Sequence, residues 1–249
     1  MLLLCPLRLK SLCIFRTRPF TVPTAQRRQL SVLQSTQQGE QGHQQQDPMP
    51  KFELIEESVA YKRYLTLFDR QVRVTSEKTG QATTLAYDVI GHPRCNFRFA
   101  VVLPFHTASK DTDAQVTMIR EFCQGPNAVC YNLPTGGFDP AKHTSIEDCA
   151  RAELSEEALL KGGELVRLIP EDHPGFAEVK WCANRFVPFL VIDPHVDPKP
   201  GARDAEEFIE VKRVGMEEFR NLNDGGDLML PSMVTANLAL KYLEKRGFV

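Results

Sequence analysis

Short apolar runs and alternations, each closed by Gly, Pro, Asn or Asp, follow one another along the first two thirds of the sequence. KRYLTLFDRQVRV (62–74), TTLAYDVIG (83–91), FRFAVVLPF (97–105), AQVTMIREF (114–122) and AVCYNL (128–133) are rich in β-branched or aromatic residues, and this pattern predicts strands and turns. The period then changes. Over residues 145–160, Ile146, Cys149, Ala150, Leu154 and Ala158 recur at helical spacing, with Ser145 placed to cap the helix and Asp148 three residues on. Strands are again predicted at ELVRLI (164–169), KWCANRFVPFLVI (180–192) and EFIEVKRV (207–214). Helices follow at 216–221 and, opened by Pro231, at 232–245. There is no internal repeat. Strands in the majority, with one central and one terminal helix, predict an α/β fold in which a mixed sheet carries helices on its faces.

The first 50 residues break this pattern. Arg8, Lys10, Arg16, Arg18, Arg27 and Arg28 precede the first acid, Glu40, among scattered hydroxyls and short apolar clusters, which is the composition of an organelle transit peptide to about residue 36. A secretory signal needs an unbroken apolar region, and Arg8, Lys10 and Arg16 interrupt it. QQGEQGHQQQDP (37–48) has too little apolar surface to fold and reads as a spacer, so residues 1–50 are expected to lie outside the folded unit of 51–249. The expected destination is a chloroplast or a mitochondrion.

Charge narrows the partners. The whole chain of 249 residues has 30 basic and 32 acidic residues, but six of the basic ones and only two acids fall in residues 1–50, leaving the remainder at −6. An acidic body argues against coating of nucleic acid, which requires a basic face. No apolar run reaches the roughly 18 residues of a membrane span. The seven cysteines form no CxxC pair and no regular framework, which fits a reducing compartment.

The densest chemistry lies in LPTGGFDPAKHTSIEDCARAELSEEALL (133–160). Glu153, Glu156 and Glu157 stand at i, i+3 and i+4 of the predicted helix and converge opposite its apolar side. Carboxylates held that close repel by a few kcal/mol per pair when partly shielded from water. A solvated acidic face is one outcome; a hard divalent cation, which takes one or two carboxylates, several waters and substrate phosphates, is the other. The loop before the helix favours the cation, because Gly136 and Gly137 let backbone approach a ligand and Pro134 stiffens the turn.

A strand, a Pro-x-Gly-Gly loop and a helix with E-x-x-E-E resemble the Nudix hydrolases. Their box runs Gly, five residues, Glu, seven residues, then Arg-Glu-apolar-x-Glu-Glu-x-Gly-apolar. The resemblance implies an α/β/α sandwich, Mg²⁺ or Mn²⁺ held by Glu153, Glu156 and Glu157, and hydrolysis of a nucleoside diphosphate linked to another group. The box departs from the pattern at Thr144, in place of its first Glu, at Ala152, in place of its Arg, and at Leu159, in place of its Gly. Arg151 points about 100° away around the helix from the missing Arg, and Gly162-Gly163 are placed to end the helix a turn late.

Over residues 60–220 the sequence is similar to the ADP-ribose and ADP-sugar pyrophosphatase branch, and its LPTGGFDP loop to plant and green-algal organellar members. That branch implies ADP-ribose or an ADP-sugar as substrate, AMP and a sugar phosphate as products, and a homodimer formed through an N-terminal β-region, here 52–90. It also implies a loop glutamate as general base, Glu206 or Glu207, with Glu156 and Glu157 as competitors. Arg120 is a candidate phosphate contact that an exposed strand arginine explains equally well. Trp181 and Phe186 suit a strand core better than adenine stacking; His143 suits a solvated loop, and Cys149 packing. Two functions stay open: a metal-dependent pyrophosphatase, or a nucleotide-binding or regulatory module that kept the fold and lost turnover through Thr144, Ala152 and Leu159.

Overall fold

Two runs, RFAVVLPFH and RFVPFLVI, are apolar at nearly every position, as strands buried on both faces must be. They form β4 (Arg98–His106) and β11 (Arg185–Ile192) and lie parallel, in register from Arg98 beside Arg185 to Phe105 beside Ile192. In this computed structural model, residues 48–203 and 207–249 are described. The transit segment and most of the spacer, in residues 1–47, lie outside the described residues, as does Glu206.

The other elements, in order, are β1 (Lys51–Lys62), β2 (Thr66–Thr75), β3 (Ala82–Gly91), β5 (Gln115–Cys123), β6 (Ala128–Asn132), β7 (Thr135–Gly137), α1 (Ile146–Glu156), β8 (Leu160–Lys161), β9 (Glu164–Arg167), β10 (Phe176–Ala177), β12 (His195–Val196), β13 (Ile209–Gly215), α2 (Met216–Gly225) and α3 (Leu230–Arg246). The main sheet runs β10-β11-β4-β5-β13, with β6 on β5, β7 on β4 and β9 on β11. It is mixed, as expected: β11 and β4 are parallel, and the remaining pairs antiparallel.

Alternation along the central strands sorts the two cores. Ala100, Val102, Val187, Phe189 and Val191 pack against Ile146, Cys149, Ala150 and Leu154 of α1. Val101, Leu103, Phe105, Leu190 and Ile192 point the other way, to Phe219 of α2 and Ala236, Ala239 and Leu243 of α3. The result is helix, sheet, helix in three layers, and each fully buried Leu or Phe contributes about 1.5–3 kcal/mol.

β1 to β3 form a separate three-stranded antiparallel sheet. The sequence pattern does not predict β1. Its register slips between Leu54 and Glu56 and again between Val59 and Tyr61, and such bulges scramble the two-residue alternation that marks a strand. The strand expected over 180–192 also begins later, at Arg185. Before it, Cys182 N–H bonds back to Val179 O in a turn that leaves Trp181 60% exposed, not buried in a strand.

The central helix is shorter than the periodicity predicts. α1 ends at Glu156, and Leu159 itself takes the left-handed conformation, φ 60°, so Gly162 and Gly163 serve a later turn, at φ 69° and 73°. Arg151 spans back to that turn, donating to the carbonyls of Gly162 and Gly163. A left-handed non-glycine residue costs about 1–2 kcal/mol, while glycine there loses about 0.5–1 kcal/mol more chain entropy on folding. Leu159→Gly is therefore expected to raise unfolding stability by about 0.5–1 kcal/mol, read from urea titration, with turnover unchanged.

Candidate active site

The loop after β6 is pinned from three sides. Leu133 N–H donates to Ser232 Oγ at 2.9 Å, Val102 N–H to Pro134 O at 2.9 Å, and Thr135 Oγ1 to Leu133 O at 2.7 Å. β7 then lies antiparallel to β4, with Gly136 opposite Ala100 and Gly137 opposite Phe99. Both glycines are needed for close approach, and what approaches is the protein's own chain. A Cβ at Gly136 would fall on the Glu153 carboxylate, and one at Gly137 on Cys95 Sγ.

Capping fixes the start of α1. Ser145 Oγ accepts from Asp148 N–H at 3.1 Å, which satisfies a backbone donor the helix leaves unpaired, and Asp148 Oδ2 accepts from Thr144 N–H at 3.0 Å, which ties the residue before the cap to the first turn. Thr144, where the box would have its first Glu, thus anchors the helix start. The other end delivers Glu157, which is only 3% exposed and accepts from Thr135 N–H at 2.6 Å. Burial holds its carboxyl well above the usual carboxylate range; Glu153 pushes it the same way, Thr135 opposes, and Glu121 and Glu207 add to the rise.

Glu121 belongs to this site and the sequence reading missed it. It sits on β5, one step outward from buried Ile119 on the same face, and accepts from Asn132 Nδ2 at 2.6 Å. Burial raises its carboxyl, the Asn132 bond opposes, and Glu207 raises it further. The available signal was an acid in line, at two-residue spacing, with the buried positions Thr117 and Ile119 of β5. Cys123, next along that face, has a thiol pushed up to about 11 by burial, which disfavours the nucleophilic thiolate.

The expected residues separate into two groups. Glu153, Glu157 and Glu207 come together with Glu121, whereas Glu156 lies at the edge with its side chain against Gly201. Arg120 points to the opposite face of β5 from Glu121, bonds Glu210 at 2.9 Å and stacks over Tyr131. Phe186 is core, at 2% exposure. His143 Nδ1 accepts from Asp139 N–H at 3.1 Å and staples the loop. Cys149 is fully buried, its thiol raised by burial. Beside Glu121 and Thr135 a cleft of about 290 Å³ opens toward Phe122, Met229 and Ser232.

The donor set suits a hard divalent cation: all carboxylate oxygen, mutually repelling, and partly shielded from water. Among the described residues no three His, Cys, Asp or Glu side chains are drawn into a ready-made cage. Magnesium-type ions do not need one, since waters and substrate phosphates complete their shell.

A family model of the NUDIX domain matches residues 99–232. The chain belongs to the NUDIX domain family. That places it among the Nudix hydrolases, which cleave the pyrophosphate bond of nucleotide derivatives and generally use divalent metal ions. Compared with the curated proteins, the sequence matches none. The fold is similar to a crystal structure of an ADP compounds hydrolase, with a TM-score of 0.60 and 17% identity over 82% of this chain and 99% of that one. It is also similar to the NUDIX domain of Shewanella oneidensis NrtR, solved with ADP-ribose, with a TM-score of 0.46 and 14% identity over 59% of this chain and 87% of that one.

Proposed function

We propose that the chain hydrolyses the pyrophosphate of ADP-ribose or an ADP-sugar, giving AMP and a sugar phosphate. The observation that carries this reading is the buried Glu157 carboxylate, set against Glu153, Glu121 and Glu207 at the end of the Gly-Gly loop. A fold that leaves this much like charge at one place is matched to a positive ligand. The likeness to an ADP compounds hydrolase supports the adenylate half.

Glu153 and Glu157 would hold Mg²⁺ or Mn²⁺, with Glu156 at the edge of the site beside them, and the ion would supply charge neutralisation at the pyrophosphate oxygens. The general base on this reading is the loop glutamate pair Glu206 and Glu207, of which Glu207 is close enough for its charge to act on Glu157 and Glu121. The carboxylate of that base takes a proton from water as the water oxygen bonds to one phosphorus. The bridging P–O bond breaks, and its oxygen leaves on the other phosphate. Asn132 and Thr135 orient Glu121 and Glu157, and the cleft beside them gives part of the substrate room away from bulk water.

The test is release of AMP from a panel of nucleoside diphosphate derivatives, with Mg²⁺ or Mn²⁺, by the protein of residues 51–249. Turnover of ADP-ribose or ADP-glucose is expected. Metal-dependent binding of these compounds without turnover would instead favour a nucleotide-binding module.

A second copy of the chain is the proposed partner of the N-terminal sheet. Register places Phe52, Val74 and Thr83 in one row, Leu54, Val72 and Leu85 in the next, then Glu57, Arg70 and Tyr87, then Val59, Phe68 and Val89, all on one face. The other face carries Glu53, Arg73, Asp69 and Asp88. At the Phe68 end the chain's own Phe97 covers the apolar face, but Phe52, Leu54 and Leu85 are 59%, 55% and 42% exposed. Three strands need their apolar face covered to be stable, and a two-fold contact buries the same face of both copies. The Glu57–Arg70 ion pair within the face leaves no net charge to oppose that contact. Light scattering is expected to give a dimer at micromolar concentration and a monomer for Leu54→Glu; a monomeric wild type would refute the assignment.

A further inference from the structure

α1 ends where the site begins, and its last carbonyls have no partner within the helix. One side chain takes two of them. Arg203 Nε donates to Glu156 O at 2.9 Å and Nη2 to Glu157 O at 2.7 Å, while Nη1 reaches Ile209 O at 3.1 Å. The guanidinium fork therefore ties the end of the helix to the first residue of β13. Ile209 in turn is paired with Glu121 on β5, and Glu207 lies two residues before it.

Arg203 thus joins two of the elements that bring acids to the site, α1 and β13, and the third, β5, is linked to it through the pairing of Ile209 with Glu121. α1 supplies Glu153, Glu156 and Glu157; β5 supplies Glu121; the approach to β13 supplies Glu207. The surrounding chain reinforces the tie, with Gly201 N–H on Ser155 Oγ at 3.1 Å, Ser155 Oγ on Asp197 Oδ2 at 2.8 Å and Asp197 N–H on Leu159 O at 2.9 Å. Those bonds hold the segment to the helix but do not reach β13. Arg203 does.

Resting on the reading of the site given above, we propose that Arg203 is a positioning residue for the hydrolysis, fixing the separation between the α1 carboxylates and Glu207 through three backbone carbonyls. The geometry explains why arginine is used. A lysine ammonium is a single point that cannot span carbonyls on two elements, whereas the planar fork presents several donors in fixed directions. It acts through backbone position, since its three bonds all go to backbone carbonyls. A helix without Arg at Ala152 has here a tether from outside the helix.

The experiment compares wild type, Arg203→Lys and Arg203→Ala in the protein of residues 51–249. It reads kcat and KM for ADP-ribose well below each melting temperature, and Mn²⁺ affinity without substrate by electron paramagnetic resonance. A displacement of about 1 Å at a reacting group lowers rate about 100-fold, so Arg203→Ala is expected to lose about 10- to 100-fold in kcat with KM nearly unchanged. Its Mn²⁺ affinity should fall, Arg203→Lys should be intermediate, and millimolar guanidinium ion should restore part of the Arg203→Ala rate. A merely structural role would lower the melting temperature and leave kcat, Mn²⁺ affinity and guanidinium response at wild-type values; that result overturns the proposal. Should Arg203→Ala not fold, Arg203→Lys with wild-type kcat and Mn²⁺ affinity overturns it equally. Wild type that binds Mn²⁺ but turns nothing over refutes the hydrolytic reading alone, and the Mn²⁺ comparison still decides Arg203. If wild type neither binds Mn²⁺ nor hydrolyses, both proposals fall together.

Discussion

Glu157→Gln is expected to lower turnover about 100-fold or more, the size of loss that follows removal of one electrostatic stabiliser from a transition state, and to leave the metal-free protein at least as stable. Gln retains the side-chain oxygen that accepts from Thr135 N–H and keeps nearly the same volume, so the loop should stay closed. What disappears is a buried negative charge. The folded carboxyl is raised above its unfolded value, so its neutral form is the stabilising one. That contribution is full below the ordinary carboxylate range and is lost as pH rises through the raised folded value. Glu121 is shifted in the same direction and acts in the same sense.

The advantage of Gln over Glu in the metal-free protein should accordingly be absent in acid and grow as pH rises through that window. Adding Mg²⁺ should reverse the order at neutral pH, because wild type gains a ligand that the variant binds less well. Thermal melts of both proteins across pH, with and without Mg²⁺, read all of this beside the rates. Equal turnover in the two proteins, or melting of wild type that ignores Mg²⁺, would reject Glu157 as a metal-binding carboxylate.

Whether a residue of this site was legible depended on how local its signal was. Glu153 and Glu157 stand one helical turn apart, and helical spacing alone places them together, whereas Glu156, expected with them, turns to the edge against Gly201. The glycine loop announced itself by composition. The layered core was legible too, since FRFAVVLPF and RFVPFLVI are apolar at positions of both parities and so require cover on both faces. Glu121 was hidden because its partners, Asn132 across the hairpin and Glu157 on the helix, are brought to it only by sheet pairing. Arg203 was hidden for the same reason, 46 residues from the carbonyl of Glu157. Helix length misled in another way: periodicity continues through Ala158, but the backbone turns left-handed at Leu159, a conformation that no apolar pattern encodes.

Gly136→Ala should lower activity nearly as far as loss of Glu153 does, with little change in stability. The added Cβ would coincide with the Glu153 carboxylate, so one of the two must move. The backbone cannot yield readily. Gly136 is paired with Ala100, Pro134 O accepts from Val102, and Thr135 N–H is held by Glu157. Glu153 is the flexible party and should swing off the loop, away from Glu157 and the place where a cation would sit. Moving one like charge from another relieves repulsion, so melting should shift by less than about 1 kcal/mol in free energy. Turnover should fall about 100-fold, as for a misplaced group at a reacting centre.

A double-mutant cycle separates this account from general loop damage. If the Cβ acts by displacing Glu153, then Gly136→Ala added to Glu153→Ala costs almost nothing further. Gly215→Ala, where a Cβ meets no atom within 4 Å, serves as the control and should keep wild-type turnover. A full additional loss from Gly136→Ala in the Glu153→Ala background would mean that the loop backbone itself carries the effect. The required contact would then be between Gly136 and the substrate, and the carboxylate beside it would be incidental.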